Sequence, residues 1–387
     1  MKPSRSSRSK VSPSSSAPET GRLIAEIDAL FEHAGLVRAL RGKAGSISRR
    51  GHVEHSAAEE LSRFSAPPRI AGNGVQFLPV PGWENYPWLW HGFSTRRGGL
   101  SRAYCPDGAP GELNLGFTAA DDRLTVERNR RLLAEAITGN PETSLQTLRQ
   151  IHSTLIVGGS TAASSPGCRG GVPGDGSSSL GCKGGVPGDG SSSLGCKGDG
   201  LMTDQPGLLL GVQTADCIPV LVADRKRQVV AAFHAGWRGT VNRIVESGIG
   251  RMRLLFGSRP EDLIAAIGTG IGPCCYAVGE EVFSSFESQF AYFNDLFHEV
   301  DDSDAVRKKY PMLFLTQRAP GHSPIGPSLH LDLWEANRRQ LLAAGIKPRA
   351  IQLVGGCTNC QPELFFSHRG SQGHAGRMLG VIGIQSR

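Results

Sequence analysis

Two short motifs near the middle of the 387-residue chain each carry one residue that could bind a metal or react as a nucleophile. Cys217 ends the motif TADC, and His234 begins the motif HAGWRG. A thiolate and an imidazole are both zinc ligands, and together they also form the nucleophile–base pair of cysteine hydrolases. Spacing alone does not separate these two uses from a third, in which a buried free cysteine packs beside a structural histidine.

The segment between the two motifs is predicted to form a β-hairpin. Ile218–Ala223 and Val229–Phe233 are apolar runs that flank a polar turn, which is a hairpin signature. If the turn is centred between Arg225 and Lys226, Cys217 stands directly opposite His234. The Cα atoms of directly opposed residues lie ~4.5–5.5 Å apart, so the two side chains would be close enough to share one metal ion or one proton.

His152, in the motif RQIHS, is a third candidate ligand. A catalytic zinc site keeps three protein ligands and leaves the fourth position for a water, whose pKa falls towards ~7. His152, Cys217 and His234 would supply such a set.

The elements that must position these residues alternate between strands and helices. This alternation predicts an α/β fold in a single large domain over residues 74–385. Predicted strands are Leu208–Val212, Ile218–Val222, Val229–Phe233, Ala265–Ile267 and Ile351–Val354, and predicted helices are Leu124–Thr138, Val241–Phe256, Glu280–Phe290 and Leu333–Ala344.

Two segments are predicted not to belong to the packed part of this domain: one precedes it, and the other is an insert within it. Residues 1–65 are expected to be a disordered and partly helical N-terminal extension, because the start of the chain is rich in Ser, Lys and Arg. Residues 160–199 are expected to be a surface insert, because Cys168–Gly181 recurs almost unchanged as Cys182–Gly195 and is dominated by Gly, Ser and Pro. We predict that deleting Gly167–Gly195 leaves activity and zinc content intact, since lengthening a loop costs only ~0.6 kcal/mol per doubling.

Charge and cysteine content exclude several classes of protein. The formal net charge is +7, but +6 of it falls in residues 1–52, so a nucleic-acid-binding domain is disfavoured. No apolar run is long enough to span a bilayer, which predicts a protein without membrane contact. Nine cysteines, an odd number that includes adjacent Cys274 and Cys275, indicate reduced thiols and a cytoplasmic location. Those two are expected to pack in the fold, and the Cys357/Cys360 pair is expected to be structural.

Taken in order, the motifs resemble one known family. The chain is similar to the bacterial laccase-domain proteins, long labelled polyphenol oxidases and now described as purine nucleoside phosphorylases of the LACC type. The resemblance rests on HGFSTRRGG from His91, NLG from Asn114, QIH ending at His152, TADC, HAGWRG, IGPCCY from Ile271, DLW from Asp332, CTNC from Cys357 and GRM from Gly376.

The resemblance implies a fold, a metal and an activity. The implied fold is a layered α/β/β/α sandwich of the toxin-deamidase-like kind, and the implied zinc ligands are His152, Cys217 and His234. The implied activities are phosphorolysis of adenosine, inosine, guanosine and methylthioadenosine, and deamination of adenosine. The expected partners are therefore purine nucleosides and phosphate, bound by a monomer or small homo-oligomer.

Four further residues are candidates for binding the substrate. Phosphate is a dianion that needs fixed donors, so Arg96 is the first candidate to hold it and Arg238 the second. Asn114 could hydrogen-bond the ribose or the base, or it could cap a turn. Asp216 could orient a ligand or accept a proton, or it could satisfy backbone donors.

Three alternatives remain open at the level of sequence. A copper-dependent polyphenol oxidase is disfavoured because multicopper sites need paired His-x-His patterns, which the chain lacks, although a soft site can still take up Cu²⁺. A Cys–His hydrolase acting on cell-wall precursors would use Cys217 as nucleophile and His234 as base. A non-catalytic purine-binding or partner-binding module is the third.

Overall fold

A computed structural model describes residues 67–159, 196–300 and 328–386. Within these ranges the chain forms fifteen strands and five α-helices. The strands are β1 (Arg69–Ile70), β2 (Gln76–Leu78), β3 (Leu89–Ser94), β4 (Arg97–Ser101), β5 (Ser144–Gln146), β6 (Ile156–Gly159), β7 (Gly200–Thr203), β8 (Leu208–Thr214), β9 (Ile218–Asp224), β10 (Val229–Ala235), β11 (Leu263–Ile267), β12 (Phe297–Val300), β13 (Ser328–Leu331), β14 (Ile351–Leu353) and β15 (Met378–Ile384). The helices are α1 (Arg123–Thr138), α2 (Trp237–Val241), α3 (Ile244–Phe256), α4 (Glu280–Gln289) and α5 (Leu333–Ala343).

The predicted elements agree with this order, with one difference. The stretch Val241–Phe256, predicted as one helix, is divided between α2 and α3. The break falls at Arg243, whose φ of 61° lies in the left-handed region and cannot continue a right-handed helix.

Two six-stranded sheets make up the centre of the fold. The first has the strand order β1-β2-β3-β15-β8-β5, and the second has the order β14-β11-β9-β10-β7-β6. Their inner faces pack on each other through contacts of β10 with β8 and β15. Helix α1 covers the outer face of the first sheet, whereas α3 and α5 cover the second. The α/β/β/α layer order expected from the resemblance is therefore confirmed.

Three buried clusters correspond to the three interfaces between these layers. Leu133 of α1 packs with Leu209 and Val381 on the first sheet. Between the sheets, Leu210 and Ile382 pack with Leu221 and other apolar side chains. The largest cluster lies between the second sheet and its helices. Each sheet thus buries both faces, which explains why the strands read as near-continuous apolar runs.

The β9–β10 hairpin has a register that differs from the prediction by two residues. His234 pairs with Pro219 rather than with Cys217, and Asp224 pairs with Val229. The turn is therefore centred one residue later than predicted, because Asp224 Oδ1 accepts hydrogen bonds from the backbone N–H groups of Lys226 and Arg227, at 2.9 Å each. A shift of two residues keeps every side chain on its predicted face of the sheet.

Strand β10 is held closely by the helix layer at Phe233. A Cβ atom added at Gly248 of α3 would lie 2.3 Å from Cζ of this ring, and one added at Gly200 of β7 would lie 2.9 Å from its Cδ1. The ring therefore fits between two glycines, immediately before the candidate ligand His234 on the same strand.

Several expectations fall on parts of the chain outside the described residues. The N-terminal extension, residues 1–65, lies outside them, and so do residues 160–195 of the expected insert. The last residues of that expected insert lie within the sandwich, since Cys196 O accepts from Arg149 N at 3.0 Å and Asp199 is fully buried. No helix in the described ranges combines the length and the apolar character needed to cross a membrane.

Candidate metal centre and cleft

The three predicted ligands converge at one edge of the sandwich. The side-chain nitrogen and sulfur atoms of His152, Cys217 and His234 that could bind a metal all lie within 4.8 Å of one another. His152 Nε2 is 4.0 Å from Cys217 Sγ, and the two imidazole rings are 5.0 Å apart at their centroids. His234 is buried, Cys217 is half-buried and His152 is exposed, so the cluster is open on one side.

A buried carboxylate holds the loop that carries His152. Asp199 Oδ1 accepts from His152 N at 3.1 Å, and Oδ2 accepts from Ser153 N at 2.6 Å and from Ser153 Oγ at 2.7 Å. His152 itself has a φ of 57°, a conformation that costs free energy for a non-glycine residue and needs such support.

The same carboxylate fixes the ring of His234. His234 Nδ1 donates to Asp199 Oδ1 at 2.9 Å, which leaves Nε2 for the cluster. Burial alone would raise the pKa of Asp199, but the bonds from His234 and Ser153 hold it at about 2. Burial likewise would lower the pKa of His234, but the neighbouring Cys217 and the bond to Asp199 raise it to about 9. A carboxylate–histidine pair of this kind is what orients histidine ligands in zinc sites.

Cys217 lies between β8 and β9, at a sharp bend of the backbone. The bend is made at Asp216, whose φ is 88°. Burial would raise the pKa of the Cys217 thiol, but the charge of His234 and hydrogen bonds from both histidines hold it at about 6. The thiolate form, which is the one that binds metal or attacks a carbonyl, is thereby stabilised.

The cluster needs a glycine at position 236. A Cβ atom there would lie 2.9 Å from Cys217 Sγ and 3.2 Å from His152 Cδ2. Gly236 has a φ of −69°, so the requirement is for space and not for an unusual backbone conformation.

A cleft of about 610 Å³ opens beside the cluster. Both sheets contribute to it, since Gln213 belongs to β8 of the first sheet and His234 belongs to β10 of the second. Gln150 fixes this edge by bonding both backbone groups of Gln213, from Nε2 to O at 2.8 Å and from N to Oε1 at 2.6 Å. Apolar surface comes from Phe117, Ile271 and Tyr276, and positive charge comes from Arg149, Arg369 and Arg377.

Arg96, the first candidate for phosphate, is not among the residues that line this cleft. Its Nη2 lies 2.7 Å from Glu112 Oε1, its Nη1 donates to Pro362 O at 2.6 Å, and its guanidinium stacks 4.6 Å from the centroid of Phe366. These donors hold the loops together, so the geometry does not support a direct role in binding phosphate.

Asn114 also serves the fold. Its side chain is fully buried, and Oδ1 accepts from Gly116 N at 3.1 Å and from Arg377 N at 2.8 Å, while Nδ2 donates to Asp121 at 2.7 Å. The turn-forming alternative therefore accounts for its bonds, and its link to the ligand site passes through the backbone of Arg377.

Of the other two candidates, Asp216 is among the residues that line the cleft and Arg238 is not. Asp216 lines the cleft, but its oxygens already accept from Thr358 Oγ1 and from Arg369 N, at 2.6 Å each. Arg238 is exposed at the start of α2 and stacks on Trp237 at 4.4 Å.

Sequence reasoning missed Asp199 and the cleft arginines Arg369 and Arg377. Asp199 directly follows the repeated segment and was included in the expected insert. The sequence does contain an indication of its role, because Asp199 is an acidic residue directly before the apolar strand Gly200–Thr203. This position is recognisable only when the repeat units before it are set aside. Arg377 stands in the motif GRM, and Arg369 follows the FFSH stretch that begins at Phe365.

In the described residues, three or more potential ligands converge at one other place. Cys274, Cys275, Cys357 and Cys360 bring their sulfur atoms within 4.8 Å of one another. The first cluster offers one cysteine sulfur and two imidazoles beside an open cleft, whereas the second offers four cysteine sulfurs.

Comparisons with known proteins agree with this fold. The family model described as "Multi-copper polyphenol oxidoreductase laccase" matches residues 90–385. A protein of Bacteroides thetaiotaomicron named purine nucleoside phosphorylase is 32% identical over 303 residues, covering 78% of this chain and 93% of the relative. A protein named adenosine deaminase RL5, from an unknown prokaryotic organism, is 34% identical over 171 residues, covering 44% of this chain and 56% of the relative.

A solved structure is similar along nearly its whole length. The crystal structure of YlmD from Geobacillus stearothermophilus superposes with a TM-score of 0.59 and 30% identity, covering 84% of this chain and 99% of that chain. The protein of this name from the same species is named purine nucleoside phosphorylase and is 34% identical over 299 residues.

Proposed function

The chain belongs to the multi-copper polyphenol oxidoreductase laccase family, and from that premise we propose that it is a zinc-dependent purine nucleoside phosphorylase that also deaminates adenosine. The observation that carries the proposal is the convergence of His152, Cys217 and His234 at the wall of a cleft lined by arginines. The names of the relatives add to it, since they are called purine nucleoside phosphorylase and adenosine deaminase.

The donor set fits a catalytic zinc ion. One thiolate and two imidazoles with an open side are the kind of three-ligand set that such sites use. The bond from His234 Nδ1 to Asp199 fixes the tautomer that presents Nε2 to the metal. When bound, zinc would lower the pKa of a coordinated water towards ~7 and polarise a substrate oxygen.

Copper fits the described residues less well, despite the name of the family. Multicopper chemistry needs several adjacent histidine-rich sites, and the described residues bring histidines together as potential metal ligands only at His152 and His234. A mononuclear blue-copper site uses the same two His and one Cys with a weak axial ligand; no methionine lines the cleft, and the side chain of the lining residue Gln150 is already bonded to the backbone of Gln213.

Phosphate binding is assigned to the arginines of the cleft. Arg369 donates Nη1 to Ala277 O at 2.9 Å, and Arg377 donates Nη1 to Ala375 O at 2.7 Å. In both side chains the hydrogen bonds within the described residues use Nη1, which leaves Nε and Nη2 as donors for bidentate binding of an anion. Arg149 also lines the cleft and is exposed, so it adds positive charge there, whereas Arg238 is not among the lining residues.

The nucleoside would bind across the remaining surface of the cleft. Phe117, Ile271 and Tyr276 offer apolar surface for the planar base. Burial raises the pKa of Tyr276 above its ordinary range, so its hydroxyl stays protonated and can donate a hydrogen bond. Phosphate held by the arginines would then displace the base at the anomeric carbon of the ribose. Deamination of adenosine would depend on the three residues that would hold the metal, His152, Cys217 and His234.

A second candidate function is supported by the electrostatics of the same residues. Without metal, the lowered pKa of Cys217 and the raised pKa of His234 favour a thiolate–imidazolium pair oriented by Asp199. That arrangement is also the one used by a Cys–His hydrolase, for which a cell-wall precursor would be the substrate.

A panel of nucleosides assayed with and without phosphate tests the proposal. The zinc-loaded protein is expected to release hypoxanthine from inosine only when phosphate is present, and ammonia from adenosine without it. Cys217→Ala is expected to abolish both activities together with the zinc at this site. The matched control Cys105→Ser changes a half-buried thiol outside the cluster and should alter neither activity.

Two results would decide against the proposal. Absence of phosphate-dependent base release from every nucleoside in the zinc-loaded protein would contradict the phosphorylase. The Cys–His hydrolase would be favoured by two results together. Alkylation of Cys217 would abolish activity, and the unmodified protein would still hydrolyse its substrate after complete removal of metal.

A further inference from the structure

The described residues contain a second group of potential metal ligands, separate from the three of the cleft. The four-cysteine cluster comprises Cys274, Cys275, Cys357 and Cys360, none of which is joined in a disulfide. We propose that the four-cysteine cluster binds one zinc ion as a structural site. This proposal does not depend on the proposed function.

The fold brings the two cysteine pairs together through one parallel strand pair. Strands β11 and β14 run side by side in parallel, with Ala265 paired to Ile351 and Ile267 to Leu353. The loops that follow parallel neighbours leave the sheet at the same edge. The first loop carries one pair and the second carries the other, so a contact between distant parts of the sequence follows from the strand order.

Backbone hydrogen bonds fasten the two loops to each other. Thr358 N donates to Gly270 O at 2.9 Å, and Gly270 forms a parallel bridge with Cys357. Gln361 N donates to Cys357 O at 3.2 Å, which turns the chain so that Cys360 and Cys357 lie on the same side. The two-residue spacing of this pair is the one used in zinc sites.

The distances between the sulfur atoms suit one tetrahedral ion. Cys360 Sγ lies 3.4 Å from Cys274 Sγ and 3.4 Å from Cys275 Sγ, and every pair lies within 4.8 Å. Four sulfur atoms at ~2.3 Å from a central ion are ~3.8 Å apart in a regular tetrahedron. An iron–sulfur cluster would place iron and sulfide between the thiolates and would hold them farther apart.

Two hydrogen-bond donors reach the sulfur atoms of the cluster. Gly272 N donates to Cys357 Sγ at 3.2 Å, and the Asn359 amide hydrogen-bonds Cys275. Such bonds stabilise the negative charge of coordinated thiolates. The nearby His330 is not a ligand, because its Nδ1 bonds Pro273 O at 2.6 Å and its Nε2 bonds Ser328 Oγ at 2.9 Å. The ligand set is therefore four cysteines.

Burial argues against apolar packing as the reason for the cluster. Cys357 is fully buried and Cys275 is half-buried, but Cys274 and Cys360 are exposed. An exposed thiol gains little from apolar packing, whereas a metal ion would account for all four positions at once.

The site would stabilise one wall of the cleft. Thr358 stands between the two ligands of the second pair, and its hydroxyl donates to Asp216 Oδ1 at 2.6 Å, next to Cys217. Tyr276, directly after the first pair, lines the cleft. A zinc ion here would thus hold Thr358 and Tyr276 in place without contacting a substrate.

Metal content of purified full-length variants tests the proposal site by site. After loading with zinc and removal of excess, inductively coupled plasma mass spectrometry should give two zinc ions per chain for the wild type. One is expected for Cys217→Ala and one for the double variant Cys274→Ser/Cys360→Ser, whose substitutions are exposed and so should not prevent folding. The triple variant Cys217→Ala/Cys274→Ser/Cys360→Ser should hold none, and the control Cys105→Ser should keep two.

Cobalt identifies the ligands independently of stoichiometry. Cobalt-loaded Cys217→Ala should show the thiolate-to-cobalt charge transfer and tetrahedral d–d bands of a four-sulfur site, and the triple variant should lose them. If the wild type and Cys217→Ala are both folded and each hold one metal ion per chain, the cleft of the wild type binds none. That result would refute the proposed function and leave this inference standing. No metal in Cys217→Ala, iron in place of zinc, or a disulfide between these cysteines by mass spectrometry would overturn the inference.

Discussion

Asp199 Oδ1 accepts the Nδ1 hydrogen of His234 at 2.9 Å, and the same oxygen accepts the backbone N–H of His152 at 3.1 Å. One buried carboxylate therefore orients the ring of one candidate ligand and the backbone of another. The third candidate ligand, Cys217, has no hydrogen bond to Asp199 among the described residues and is positioned by the connection between β8 and β9.

Asp199→Asn should weaken zinc binding at the cleft. The amide has one acceptor oxygen in place of two, so it cannot satisfy both His234 and the backbone N–H groups of the His152 loop. We expect the affinity for zinc to fall by roughly 10- to 100-fold, the usual effect of removing a carboxylate that orients a histidine ligand. Competition with a chromophoric chelator measures this, and Asp107→Asn, at an exposed position, is the control. An unchanged affinity would contradict the role given to Asp199.

Gly236→Ala should impair the same site by steric contact alone. The added Cβ would meet Cys217 Sγ at 2.9 Å, so the thiol or the strand must move. We expect loss of the zinc at the cleft with the fold retained, as judged by metal content and circular dichroism. The control Gly250→Ala, on exposed helix surface with nothing within 4 Å, should keep the metal and stabilise the protein by ~0.5–1 kcal/mol. Full zinc occupancy in Gly236→Ala would be inconsistent with the observed packing.

Arg369→Ala and Arg96→Ala should separate substrate binding from stability. Arg369 lines the cleft, so its loss should raise KM for phosphate about tenfold or more, as expected for a charge-assisted hydrogen bond of ~1.5–3 kcal/mol. Arg96 is paired with Glu112, so its loss should instead lower the free energy of unfolding by ~1.5–3 kcal/mol. Steady-state kinetics at varied phosphate and urea unfolding measure the two effects. The reverse pattern would return Arg96 to the phosphate site.

Acid should destabilise the protein through His91 of β3. Burial is the main cause that lowers the pKa of this histidine, to about 4 against 6.5 for the free side chain, and its Nδ1 accepts a hydrogen bond from Val80 N at 3.2 Å. The unfolded chain then binds the proton more tightly, so this contribution to stability is complete above pH 6.5 and is lost as the pH falls towards 4. Thermal midpoints across this range should fall less steeply for His91→Gln than for wild type. His374→Gln, at an exposed position, should follow the wild type.

The sequence predicted the identity of the elements better than their pairing. Hydrophobic runs are sufficient to locate the strands from Leu208 to Phe233, because both faces of each sheet are buried. The register of the hairpin depended on how the side chain of Asp224 bonds the turn, which periodicity does not report. Since the difference was an even number of residues, Cys217 and His234 still reached the same face.

Residues brought together by distant strand pairing were the ones that sequence reasoning missed. Asp199 gains its role only from the parallel pairing of β6 with β7, which carries it against the His152 loop. The four-cysteine cluster likewise depends on the parallel neighbours β11 and β14. Arg96 was favoured by its motif, but its pairing with Glu112 could not be read from composition.

The close fit of Phe233 between Gly200 and Gly248 bears on how loss-of-function variants should be interpreted. A bulkier residue at Gly248 would push this ring, and with it strand β10, although helix α3 does not belong to the cleft. Genetic screens for inactive protein should therefore return substitutions on the covered side of the second sheet, remote from any bound nucleoside. Such variants would resemble catalytic defects in an activity assay. Assay at a lower temperature or with added zinc should nevertheless restore part of their activity.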